Sequence, residues 1–92
     1  MENQNGKDLK SAIDGLIWLS AESVGERYHV DVSVWASRKE MQVEIIDLSI
    51  GADAIYLDST HGIPFTVESI NAMEDRVIEK LAELNEKQEQ AA

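Results

Sequence analysis

The residues from Tyr28 to Ala36 alternate in character. Tyr28, Val30, Val32, Val34 and Ala36 share one parity, and His29, Asp31, Ser33 and Trp35 share the other. Successive side chains of a strand point to opposite faces, so this pattern predicts a strand with one buried side. Its β-branched and aromatic content agrees. Ser37-Arg38-Lys39-Glu40 is polar and reads as a hairpin loop. Met41, Val43 and Ile45 then alternate with Gln42 and Glu44, until the phase changes at Ile45-Ile46 and passes to Ile46, Leu48 and Ile50. A slip of one residue would turn the apolar set to the wrong face. A bulge or a strand end is therefore expected near Ile46-Asp47.

The segments around this hairpin read as helix, strand and helix. From Lys7 the apolar residues Leu9, Ala12, Ile13, Leu16, Ile17 and Val24 fall at helical spacing, and Gly25 is placed to end the helix. Ala54 to Asp58 is a short third strand, with Ile55 and Leu57 on one parity and Tyr56 on the other. A loop with the single proline, Pro64, precedes the last helix. Thr66 is a good N-cap, Glu68 suits the first turn, and Phe65 and Ile70 occupy the two positions of a hydrophobic staple. Val67, Ile70, Met73, Val77, Leu81 and Leu84 form the apolar stripe, and Glu83 and Lys87 are a favourable pair four residues apart.

The 92 residues make one domain. The expected fold class is α+β: a small two-layer sandwich, order α-β-β-β-α, with a three-stranded antiparallel sheet and both helices on one face. The expected division is a flexible lead over 1–6, the domain over 7–85 and a frayed tail over 86–92. The outer face of the sheet is expected to carry His29, Asp31, Ser33, Trp35, Gln42 and Glu44. This order of elements is also that of double-stranded RNA-binding domains, but those meet phosphates with basic side chains. Here the last helix opens with Glu68 and offers no Lys or Arg before Arg76, so the likeness ends at topology.

Charge is the most informative number. Eighteen acidic residues stand against eight basic ones, a formal −10 with His neutral, which opposes direct binding to nucleic acid or an anionic membrane. No apolar run approaches the ~20 residues that span a bilayer. With no cysteine, neither a disulfide framework nor a thiolate metal site is available, and a cytoplasmic location is expected.

No motif of catalysis or nucleotide binding stands out. Gly51 and Gly62 are isolated, so no phosphate loop exists. Ser59, His61 and Asp58 have the residue types of a hydrolytic triad, but neighbours in one loop rarely reach its geometry. His29 with Asp31, and His61 with Asp58, could form a metal site only if strand and loop met. The expectation is therefore a protein with no enzymatic activity, cofactor or metal.

The acidic window carries the functional expectation. From Glu40 to Asp75 there is no Lys or Arg, and the interval holds Glu40, Glu44, Asp47, Asp53, Asp58, Glu68, Glu74 and Asp75. Carboxylates on a rigid surface can stand in for phosphates. The expected function is a small acidic protein-binding module that blocks a nucleic-acid-binding protein by mimicking nucleic-acid charge, a strategy of phage-type inhibitors. Glu40, Glu44, Asp47, Asp53 and Asp58 are its expected charged contacts, with Trp35 and Tyr56 as aromatic anchors, on a partner with a basic surface. The alternative is an assembly module that homodimerises through a sheet edge or the last helix. A solvated acidic face serving solubility alone is the plainest reading, and a small metal-binding protein or enzyme a third.

Overall fold

The computed structural model describes residues 2–51 and 53–91, with side chains over 9–51 and 53–87. In chain order these form α1 (Glu2–Glu22), β1 (Tyr28–Trp35), a short 3-10 turn (Ala36–Arg38), β2 (Glu40–Asp47), β3 (Ala54–Ser59) and α2 (Val67–Ala91). The sheet is an antiparallel meander in the order β1-β2-β3, the α-β-β-β-α arrangement expected of the sequence. The side chains of the lead over 1–6, and of most of the tail over 86–92, lie outside the described residues.

The hydrophobic core is one layer between the helices and one face of the sheet. Ala12 and Leu16 of α1, and Ile70, Met73 and Val77 of α2, meet Tyr28 and Val30 of β1 and Met41, Val43 and Ile45 of β2. These strand residues all share the parity of the buried face, so both helices cover one side. Among the described residues no helix packs on the other side, which is called the bare face below.

Local chemistry sets the ends of the elements. Gly25 takes a φ of 86°, a left-handed conformation that a side chain disfavours, in the turn between α1 and β1. Ser23 seals that corner: its Oγ donates to the Ser20 carbonyl at 2.7 Å and accepts from the buried Val30 N–H at 2.9 Å. Between β1 and β2, Lys39 adopts a left-handed φ of 53° and donates its N–H to the Ala36 carbonyl. At the start of α2, the Ser69 N–H donates to Thr66 Oγ1 at 3.2 Å, confirming Thr66 as the cap. Ser69 Oγ accepts in turn from the Thr66 N–H at 3.1 Å, a reciprocal box with serine as the distal partner.

Both forms of the expected break at Ile46-Asp47 occur. β2 ends at Asp47, and its register with β3 shifts between Ile45 and Ile46, where Ile46 faces Ala54 and Ile55 is the extra residue. The apolar phase change does not carry Leu48 and Ile50 into the core. They stand exposed in the turn after β2.

Candidate interaction surface

The bare face is built by alternation. The pairings His29↔Ile46, Asp31↔Glu44, Ser33↔Gln42 and Trp35↔Glu40 lie across β1 and β2, and Gln42↔Ser59 and Glu44↔Leu57 across β2 and β3. Asp31, Glu44 and Leu57 thus form one row, and Ser33, Gln42 and Ser59 the next. Leu57 is 60% exposed, Ile55 is partly open two residues before it on β3, and Trp35 is partly open further along the face, opposite Glu40. Ile46 is buried although its register places it on this side, flanked by His29 and Ala54.

The acids in the row face each other. Like charges directly opposite in a sheet oppose folding. Asp31 receives His29 Nε2 at 2.9 Å, and Glu44 accepts from Gln42 Nε2 at 2.8 Å. No Lys or Arg pairs with either carboxylate among the described residues. At one end of the face a polar cleft of about 170 Å³ lies between Trp35, Arg38, Glu40, Gln42, Ser59 and His61. The Arg38 guanidinium stands 5.7 Å from the Trp35 ring, and His61 Nδ1 is 3.6 Å from Glu40 Oε2.

The residues expected to form the acidic contact surface divide into two groups. Trp35 and Glu44 lie on the bare face as expected, Glu40 joins them as the first residue of β2 and not as part of the loop, and Asp53 is exposed in the turn before β3. Asp47, Asp58 and Tyr56 belong to the helix-covered side. Asp47 is 5% exposed and takes both bonds of the Arg27 guanidinium, each 3.0 Å. Ser49 adds its hydroxyl and N–H to Asp47 Oδ1. The Arg27 bonds, then those of Ser49, hold the Asp47 carboxyl down at about 2.

Asp58 is neutralised from α2. Arg76 Nε and Nη2 reach its two oxygens at 2.8 and 3.0 Å, and the Tyr56 hydroxyl donates to it at 2.8 Å. Burial pushes the Asp58 carboxyl up, but Arg76 and Tyr56 together outweigh it, and the net shift is downward. Burial, and next the adjacent Asp58 carboxylate, raise the Tyr56 hydroxyl. The expectation of free charge at Asp47 and Asp58 thus fails for one reason: each meets an arginine distant in sequence. Tyr56 is no exposed anchor, because its parity turns it toward the core.

The two histidines stay apart. His29 sits beside Ile46 at one end of the sheet, with Nδ1 3.2 Å from Ser23 Oγ. His61 sits beside Glu40 at the other end. Among the described residues no three His, Asp or Glu side chains gather as metal donors, and no helix is long and apolar enough to cross a membrane. Comparison with protein-family models, with curated proteins and with solved structures finds no match.

Proposed function

We propose that the protein is a small non-enzymatic binding module whose contact surface is the bare side of its sheet. The observation that carries this reading is the row Asp31, Glu44 and Leu57. Two carboxylates stand opposite each other with no lysine or arginine between them among the described residues, next to an exposed leucine. A partner that sets a cation between the acids relieves their repulsion and covers the apolar residues in one step. The partner is accordingly a protein with a basic surface and an apolar prominence. Trp35 is the aromatic anchor, and the reading places the protein in the cytoplasm.

The sharper form is mimicry of nucleic-acid charge, as in an inhibitor that occupies the basic groove of a nucleic-acid-binding protein. Asp31, Glu40 and Glu44, with Asp53 at the turn, stand in for phosphates in this form. Asp47 and Asp58 have no part in it, since their arginines already neutralise them.

Capture on immobilised protein from nuclease-treated lysate tests this. The reading expects a basic protein retained at low salt, released as salt is raised, and lost from Glu44→Lys. Retention unchanged in Glu44→Lys and in Asp31→Lys would contradict it.

A further inference from the structure

We propose that the cavity between the C-terminal end of α1 and the facing turns of α2 is a binding site for a small organic cation, an ammonium group on a short aliphatic chain. The site lies on the helix-covered side of the sheet and does not rest on the reading of the bare face.

The path of the two helices opens the cavity. α1 and α2 run side by side in the same direction: Gly15 lies against Glu74, and further on Leu19 and Glu22 share a cavity wall with Leu81 and Asn85. At Gly15 the approach is close, since a Cβ there would come within 2.8 Å of Glu74 Oε2. Beyond it the helices leave a space of about 200 Å³, with Tyr28 at the entry of β1 as a further wall.

The Tyr28 side chain points to a ligand. Tyr28 is 8% exposed, and its hydroxyl has no hydrogen-bond partner among the described residues, whereas a buried tyrosine hydroxyl ordinarily finds one. Among the described residues no polar side-chain atom is sealed from solvent without a partner. The hydroxyl therefore opens on the cavity that Tyr28 lines.

Charge selects the occupant. Glu22 is the last residue of α1, and Glu26 follows in the turn; both border the cavity. The last turn of α1 holds no basic residue, so Glu22 stands at the negative end of the helix dipole, where a carboxylate is unfavourable and a cation is favoured. The cations nearby are already engaged. Arg27 is held by Asp47, and Lys80 and Lys87 of α2 both reach Glu83. No Lys or Arg pairs with Glu22 or Glu26 among the described residues.

The walls select an organic cation over a metal ion. Leu19 and Leu81 offer no donor atoms, and no third His, Asp or Glu joins the two acids among the described residues. Methylenes packed on the two leucines leave an ammonium group to donate to the carboxylates, to Asn85 Oδ1 and to the Tyr28 hydroxyl. The space equals that of roughly seven waters, which suits a chain of a few carbons. Ser23 borders the cavity but takes no part, because its Oγ donates to the Ser20 carbonyl and accepts from the Val30 N–H.

Amide NMR of the isotope-labelled protein, titrated with butylamine against sodium chloride at equal ionic strength, tests the proposal. The expected result is saturating shifts confined to residues 19–28 and 81–85, with a dissociation constant on the order of 1 mM. Glu22→Gln and Tyr28→Phe are each expected to weaken binding about fivefold or more. Tyr28→Phe leaves urea unfolding unchanged, since the hydroxyl has no partner to lose, and Glu44→Gln on the bare face leaves butylamine binding intact. N-acetyl-lysine amide carries the same chain on a peptide backbone. Tighter binding of it than of butylamine supports the site with a protein lysine as its occupant, and weaker binding supports it with a free amine. Shifts that follow ionic strength alone, or that spread to the acids of the bare face, overturn the proposal, as does unchanged affinity in either variant.

Discussion

Arg27 and Asp47 are joined by two parallel hydrogen bonds, each 3.0 Å, across 20 residues of sequence. The pair ties the entry of β1 to the end of β2, where Tyr28 and Asp47 face each other in register. The same guanidinium stands 5.0 Å from the Tyr28 ring. A planar fork on a carboxylate fixes orientation as well as charge, so the last residue of β2 stays inside although the apolar pattern has already changed phase.

This contact has a pH signature. The folded carboxyl of Asp47 is held at about 2, below the ~3.9 of an unfolded aspartate. A group whose pKa is lowered on folding adds stability above its unfolded pKa, and that stability is lost as pH falls through the folded value. Asp47→Asn is therefore expected to be less stable than wild type at neutral pH. The gap should close as pH falls from about 4 toward 2, as measured by urea unfolding at each pH. A gap that stays constant across that window would show that the ion pair is not its source.

Ser23 is the second fastening. Its Oγ satisfies a buried backbone N–H on β1 while bonding back to α1. Ser23→Ala strands the Val30 N–H, at a cost of about 1–3 kcal/mol in chemical denaturation. A loss within the error of that method would mean that water takes over the bond at this edge.

The assignment of faces predicts a contrast. Met73 is fully buried between α2 and the sheet, and Leu57 stands on the bare side. Met73→Ala should cost about 2–5 kcal/mol, whereas Leu57→Ala should fall within about 0.5 kcal/mol. Comparable losses at the two positions would mean that the bare face is covered within the chain itself.

Much of the architecture was readable because it rests on local periodicity. The alternation of Tyr28 to Ala36, the helical stripe from Ile70 to Leu84, the Thr66 cap and the Gly25 turn each depend on neighbours a few residues apart. The contact surface was less readable because it depends on pairs distant in sequence. An acidic window without Lys or Arg says nothing of Arg27, which folds onto Asp47, or of Arg76, which reaches Asp58 across 18 residues. β3 is the sharpest case. The sequence sets Ile55 and Leu57 against Tyr56, and hydrophobicity alone favours the aliphatic pair inside. The structure turns Tyr56 in instead, where its ring packs on the core and its hydroxyl meets Asp58 beside Arg76. The aliphatic pair is left outside on the bare face. Asp31, absent from the expected contacts, was within reach of the sequence reading: it shares the parity of Trp35, and the hairpin sets it opposite Glu44.

The account turns on whether the Asp31–Glu44 opposition is kept for binding. Glu44→Gln removes one charge and keeps an oxygen to accept the Gln42 amide. The deciding measurement sets its thermal unfolding beside its capture of a partner from nuclease-treated lysate. The account predicts a gain of roughly 0.2–1 kcal/mol in stability together with weaker capture. Capture equal to wild type, whatever the change in stability, would contradict a contact role for the bare face.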